Sequence, residues 1–534
     1  MIYGSVSKGF IGSAVTVEVD LKRGIPSTVV TGLPRGALLE AVDRIRSAIR
    51  NCGFEYPYQR ILINLSPAGI VKSGTSFDLA IALGILEQSG VLPIAGQSIL
   101  ALGELKLSGE ILPVEGVLNA ILSLRNSMDY ILIPQDTVKK NFLDDPKIVE
   151  VASLFDAVNF LSNSDNKQLM STSCKKEEIK TIKFNTLAQK KTENSFLVSN
   201  ALLNKRTIAL SIIAAASGLH TYLSGPPGCG KSFCADFICS LVPQNPSQIA
   251  SEVSMIHSAC GEYGEDGFFS NAPIRRPHHS SSVEGIIGGG SDVEVGDITL
   301  AHGGILFLDE APEFKPSILQ ALREPMESGT VSITRVGTKQ IYPANFQAIL
   351  TSNLCPCGEL GRKGGACVCS LKDIHRYKNR IGGALFDRIP IRILFSNTLE
   401  TVKSSTFFDY EIVKKKIEDF RNELAKDGYY YGVRFIPYDV VVNKLKWENQ
   451  SIKDYYQSFI INYELSTRAH IDSLRLLYTI IILSSSEVVK KEHIDFLFSI
   501  MGSSTTLFEV DNKKAEESFS RTIYSCIFDN HYIY

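Results

Sequence analysis

The octapeptide GPPGCGKS, residues 225–232, stands almost midway along a chain of 534 residues, directly after the short strand-like run HTYLS at 220–224. Glycines at Gly225, Gly228 and Gly230 let backbone N–H groups converge on phosphate oxygens, and the helix expected next turns its positive N-terminus toward the same anion. Pro226, Pro227 and Cys229 fill out the loop. Lys231 then reaches the β- and γ-phosphates of ATP, and Ser232 is the expected Mg²⁺ ligand. The plainer reading is a Gly-Pro turn ahead of a helix, so the rest of the chain has to decide.

Downstream, GGILFLDE at 303–310 is an apolar strand ending in two carboxylates. Asp309 is suited to hold the metal through water, and Glu310 to polarise the attacking water as general base. A buried strand followed by an acidic helix cap is the alternative. A second apolar strand at 346–351 ends near Asn353, whose amide is suited to position that water. The strand order and spacing point to a ring-forming ATPase of the AAA+ type. Two arginines complete such a site. Arg388 in ALFDRIP is expected to be an arginine finger inserted into the neighbouring subunit. Arg468 in LSTRAH opens a helix of a small lid and is expected to sense the same phosphate in its own subunit. Taken alone, each arginine reads more readily as a surface ion-pair residue, and their order after the other motifs shifts the balance toward the site.

At this length roughly three to four domains are expected. Residues 1–162 alternate strand and helix patterns as a compact α/β unit: strands at 15–19, 60–65 and 130–133, a helical face through Leu38, Val42, Ile45 and Ile49, and a buried helix at 77–86. Residues 163–195 are polar and lysine-rich and read as a linker. Residues 196–395 form the α/β core around the phosphate motif. Residues 396–515 read as a C-terminal helical lid, clearest at 468–483, and 516–534 as a tail. Composition is ordinary for a soluble chain, with 44% hydrophobic and 21% charged residues and a net charge of −2, so no global field favours nucleic acid or membrane. The start lacks a signal pattern and the apolar runs are too short to span a bilayer, which makes the cytoplasm the expected location. Eleven cysteines scattered over the chain do not suggest a disulfide framework.

Four of them cluster. CPC, nine residues, then CVC places Cys355, Cys357, Cys367 and Cys369 in a glycine-rich loop after Asn353. Four sulfurs suit tetrahedral zinc, although C-x-C is tighter than the usual spacing; a loop of reduced, unligated thiols is the alternative. His278 and His279 in RRPHHSSS have no Cys or carboxylate at metal spacing and read as loop hydrogen-bonding groups. Arg275 and Arg276 give that loop positive charge suited to a pore, and Gly288, Gly289 and Gly290 suggest a mobile insert. Residues 331–342, VSITRVGTKQIY, alternate like two strands around Gly337. Arg335 and Lys339 flank that turn, where two cations can grip DNA phosphates without reading bases; a merely solvated hairpin is the alternative.

Together these stretches resemble the ComM (YifB-type) magnesium-chelatase-like AAA+ proteins, from about Gly4 to about Phe498. The N-terminal part carries VEVDLKRGIPSTVVTGLP, SAIRNCGFEYP, SGTSFDLAIALGIL and LGELKLSGEILPVEGVL. The ATPase part carries RRPHHSSS, ITLAHGGILFLDEAPEF, LREPMESGTVSITR, PANFQAILTSNLCPCG and ALFDRIP. The resemblance implies a homohexameric ATPase using ATP and Mg²⁺, acting on single-stranded or branched DNA as a branch-migration helicase. It also implies an N-terminal domain with the Lon-protease fold, a ribosomal-S5-domain-2-type unit. Ser76 falls at the place of that fold's nucleophile, but Leu118 stands where its general-base lysine is expected, so no protease activity is expected. Family members carry a Gly-Gln pair near the adenine; SNALLNKRTIALSI at 199–212 lacks it. A protein- or chelatase-remodelling ATPase, or a nucleotide-dependent scaffold with weak turnover, remain the competing functions.

Overall fold

The computed structural model describes residues 1–8, 10–31, 35–67, 75–94, 96–135, 137, 145–162, 205–260, 262, 269–289, 294–335, 338–362, 364–395 and 410–501. The expected linker at 163–195, the tail at 516–534, and the hairpin's Gly337 lie outside the described residues, as does Gly290. The chain divides into two compact units, one of residues 1–190 with 254–269, the other of residues 191–253 with 270–534.

In the first unit a seven-stranded mixed sheet runs in the order Ser27–Thr31, Arg60–Ser66, Ile11–Lys22, Ile2–Lys8, Ile99–Ala101, Tyr130–Pro134, Ile148–Val151. The long strand Ile11–Lys22 pairs antiparallel with both neighbours. It alternates so that Val15 and Val17 enter the core, as half-buried strands do. Ile45 and Ile49 of the helix Arg35–Asn51 face the same core. The helix Asp78–Gln88 is buried at every residue from Asp78 to Leu86. Its Gly84 allows that close fit, because a Cβ there would stand 2.9 Å from Val19 Cγ2. The strand and helix patterns read at 15–19, 60–65, 77–86 and 130–133 each correspond to an observed element.

The second unit is built on a five-stranded sheet in the order Ile274–Arg275, Ile305–Leu308, Gln347–Ser352, Thr221–Ser224, Ile391–Leu394, with every neighbour pair parallel. The three central strands are buried along their whole length, which is why they read as continuous apolar runs rather than alternating ones. The chain enters this sheet at Thr221–Ser224 and later inserts Gln347–Ser352 between that strand and Ile305–Leu308. This crossover opens a crevice at the strands' C-terminal ends, where open parallel sheets take ligands. Helices Lys205–Ser217 and Lys231–Leu241 cover the sheet. The C-terminal helices Tyr410–Lys426, Tyr438–Lys444, Gln450–Asn462, Thr467–Leu483 and Lys491–Met501 do not form a core of their own. Ile417, Phe420, Leu477 and Phe496 belong to one apolar cluster with Leu223, Ile305 and Ile349 of the sheet. No helix among the described residues is long and apolar enough to cross a membrane.

Candidate nucleotide site

Thr221–Ser224 runs straight into the loop 225–230, and the helix Lys231–Leu241 starts at its end. Gly228 and Gly230 hold φ of 75° and 94°, left-handed values that a side chain would strain. Gly225 has a different reason to be glycine: a Cβ there would meet Phe395 Cβ at 2.7 Å and Cys229 Sγ at 2.9 Å. Its N–H donates to Ser352 O at 3.2 Å, which ties the loop to the neighbouring strand. The half-buried Lys231 ammonium donates to Gly225 O and Pro226 O at 2.8 Å, and to Asn353 Oδ1 at 3.1 Å. Burial pulls this ammonium below the usual lysine range, while the Asp309 and Glu310 charges oppose that. The loop thus gathers a partly desolvated cation, a helix N-terminus and glycines that open their N–H groups, and these fit a polyphosphate anion.

Two carboxylates come from the next strand but one. Parallel register sets Leu308 beside Leu350, so Asp309 and Glu310 emerge next to Thr351. Thr351 Oγ1 donates to Asp309 Oδ1 at 2.5 Å and accepts from Glu310 N–H at 2.9 Å. One hydroxyl therefore fixes both acidic residues. Thr351 was not singled out by sequence; the available signal was a hydroxyl near the end of an apolar strand next to the carboxylates. Glu310 holds φ 52° and ψ 50°, a left-handed conformation that costs a non-glycine residue about 1–2 kcal/mol. Both carboxylates are exposed, as is Ser232 at the start of the helix. Asp309 and Ser232 offer oxygen atoms of the hard kind that Mg²⁺ takes. Lys231, Asn353, Asp309 and Glu310 are thus gathered at the C-terminal ends of three adjacent strands, as their sequence positions required.

The two arginines lie elsewhere. Arg388 and Arg468 both pair with Glu327, one guanidinium on each carboxylate oxygen, and Arg388 also donates to Ala384 O at 2.6 Å. The Arg388 hydrogen bond, then the Arg468 and Arg388 charges, hold the Glu327 carboxyl below its usual range. The cavity they line, about 190 Å³, is also bounded by Leu219, His220 and Pro390, the residues that precede strands Thr221–Ser224 and Ile391–Leu394. This is the N-terminal end of the sheet. At about 3.3 Å per residue the phosphate loop begins about 16 Å away. Arg468, expected at its own subunit's phosphate, is thus placed with Arg388 on Glu327 and is not brought together with Lys231. Glu327, which gathers the two, was missed because nothing marks it among the charges of LREPMES.

The four thiols of Cys355, Cys357, Cys367 and Cys369 converge, with all sulfurs within 4.8 Å of one another. The residues 331–342 do form a hairpin, Thr330–Arg335 against Thr338–Pro343, with Arg335 opposite Thr338 and Thr334 opposite Lys339. Arg335 and Lys339 thus flank the turn. His278 Nδ1 bonds the Ser280 hydroxyl at 2.7 Å and its ring lies 4.1 Å from that of His279, which in turn meets the Phe314 ring edge-on. Arg276 pairs with Asp236 at 2.5 Å and lies over the Phe307 ring. Gly288–Gly289 pair antiparallel with Glu294–Val295. In the first unit, Leu118 is buried on the helix Val117–Leu124 and Ser76 is half-buried ahead of Asp78–Gln88.

Comparison with known proteins agrees with this geometry. Residues 200–402 match the family model for magnesium chelatase, subunit ChlI, and residues 17–137 match that for subunit ChlI of Mg-chelatase. The competence protein ComM of Haemophilus influenzae is 34% identical over 396 residues, 74% of this chain and 75% of that protein. YifB of Escherichia coli K12 is 29% identical over 504 residues, 92% of this chain and 95% of that protein. YifB of Salmonella typhimurium is 33% identical over 400 residues. With a phosphate-loop parallel sheet in place and identity above 30% along three quarters of ComM, this chain belongs to the ComM/YifB family of magnesium-chelatase-like proteins.

Proposed function

We propose that this protein is an ATP-hydrolysing AAA+ ring motor, a homohexamer that translocates on single-stranded or branched DNA and promotes branch migration. The observation that supports the reading is the placement of the candidate site residues at the two opposite ends of the parallel sheet. Lys231, Asp309, Glu310 and Asn353 occupy the C-terminal ends; Arg388 and Arg468 occupy the N-terminal end on Glu327. A site split this way is complete only when two copies meet, each giving its arginines to the other's phosphate loop.

Bound ATP with Mg²⁺ supplies the phosphoryl group and the charge that draws these groups together. Lys231 exchanges its carbonyl partners for phosphate oxygens. Asp309 and Ser232 would hold Mg²⁺, and Asn353 would orient a water. Glu310, fixed through Thr351, takes that water's proton. Arg388 and Arg468 from the adjoining copy neutralise charge that grows in the transition state. The hairpin Thr330–Pro343 follows directly after Glu327 and the helix Arg323–Ser328, so movement at the arginines passes along the chain to Arg335 and Lys339. The Lon-type fold proposed for the first unit acts without proteolysis, since Leu118 offers no base to Ser76. The helices after residue 410 are the lid, merged with the sheet's core.

The test is the ATPase rate of the purified chain with and without single-stranded or branched DNA. Stimulation by DNA supports the motor. Stimulation by a protein client alone replaces it with a remodelling ATPase, and nucleotide binding without turnover replaces it with a scaffold.

A further inference from the structure

The loop that carries the four cysteines rests on the phosphate loop. A Cβ added to Gly358 would stand 3.4 Å from Pro227 Cγ, and one added to Gly361 would stand 3.9 Å from Pro226 Cγ. The loop begins two residues after Asn353, the partner of Lys231. It ends at Ser370, whose hydroxyl caps the helix Leu371–Asn379 by accepting from Asp373 N–H at 3.2 Å. Tyr377 of that helix is buried and bonds back to the Asn353 backbone. The thiol cluster is therefore enclosed between a residue of the candidate nucleotide site and a helix anchored to that same residue.

The cluster has the dimensions of a metal site. Cys355 Sγ lies 3.3 Å from Cys357 Sγ and 3.7 Å from Cys367 Sγ, and Cys357 Sγ lies 3.7 Å from Cys367 Sγ. Four sulfurs at about 2.3 Å from a tetrahedral zinc stand about 3.8 Å apart, so three measured edges are at or slightly under that figure. Cys355 is buried and its sulfur accepts the Leu360 N–H at 3.3 Å; the Glu359 N–H serves Cys357 likewise. Such donors stabilise thiolates that share a cation, as outer-shell groups do at metal sites. Gly358, Gly361 and Gly364 hold left-handed φ of 79°, 79° and 78°, which is how so short a loop folds both C-x-C pairs onto one point. The tight spacing that argued against zinc in the sequence is met by these turns.

We infer that Cys355, Cys357, Cys367 and Cys369 bind one zinc ion, or another thiophilic divalent cation, as a tetrathiolate, and that this ion holds the loop against Pro226 and Pro227 so that Asn353 and Lys231 stay placed for ATP. The second half of this inference rests on ATP binding at the site proposed above, not on turnover; the metal site rests on neither. Binding releases thiol protons to solvent and changes no oxidation state. Without the ion nothing bonds the four thiols to one point, the loop lifts from the prolines, and the strand end at Asn353 loses its anchor.

The test uses the full chain, purified under reducing conditions without a histidine tag, and reads two quantities: zinc by elemental analysis, and affinity for a fluorescent ATP analogue. About one equivalent of zinc is expected in the wild type and in Cys52→Ser, and less than about a tenth in Cys357→Ser/Cys369→Ser. Stripping zinc from the wild type with a chelator, which avoids any failure of the variant to fold, should weaken analogue binding about tenfold or more, and added Zn²⁺ should restore it. Zinc below a tenth of an equivalent in the reduced wild type overturns the site. Stoichiometric zinc whose removal leaves analogue affinity unchanged overturns the coupling. Stoichiometric zinc and zinc-dependent binding in a protein that never hydrolyses ATP support this inference while overturning the motor.

Discussion

Thr351 is where chemistry and strain meet. Glu310 is held in a left-handed conformation, and its N–H and the neighbouring Asp309 carboxylate both bond one hydroxyl. A general base contributes about 10²–10⁴-fold, so Glu310→Gln should keep nucleotide affinity and lose turnover on that scale, whereas Lys231→Ala should lose binding itself. Thr351→Val keeps the shape and removes the hydroxyl. It should lower kcat about tenfold or more with KM little changed, because the base is then misplaced rather than absent, and Thr351→Ser should restore most of the rate. Equal kcat in wild type and Thr351→Val, measured by steady-state phosphate release, removes Thr351 from the mechanism. Glu327 positions the arginines in the same indirect sense. Its carboxylate is half exposed, so Glu327→Ala should change stability by less than about 1 kcal/mol in a urea titration. If Glu327 orients Arg388 and Arg468, the same variant lowers kcat; a variant with wild-type kcat shows the ion pairs to be ornament.

At the scale of elements, the proposed link to DNA runs through the hairpin Thr330–Pro343. Arg335→Ala with Lys339→Ala should leave basal ATPase intact and reduce DNA-stimulated ATPase. Each lost phosphate contact on single strands should lower the slope of log affinity against log salt by about 0.7, so the pair should lower it by about 1.4. An unchanged slope assigns the hairpin's charges to solvation. This hairpin was legible in the sequence because alternation over two runs around a glycine is a local signal, as were the buried strands Ile305–Leu308 and Gln347–Ser352. The edge strand Ile274–Arg275 is too short to show any period. The thiol cluster was legible in ligand count, while the glycine turns that close it were not. The place of Arg468 was not legible either. It depends on the path of several helices that bury their apolar faces in the sheet's own core, and helical periodicity specifies which face is buried but not against what.

At the scale of the whole molecule, the parallel sheet separates the phosphate loop from the two arginines by its own length, and in the proposed motor a second copy brings the halves together. Removing either half leaves a subunit that still offers the other. Lys231→Ala subunits retain Arg388 and Arg468; Arg388→Ala/Arg468→Ala subunits retain an intact phosphate loop. The decisive measurement is ATP hydrolysis by mixtures of these two variants across a range of ratios, with mixed assemblies verified by mass. Hydrolysis in the mixtures should exceed that of both parents and peak at intermediate ratios, because some interfaces then pair an intact loop with intact arginines. Mixed assemblies that form yet never exceed the better parent contradict a site shared between subunits.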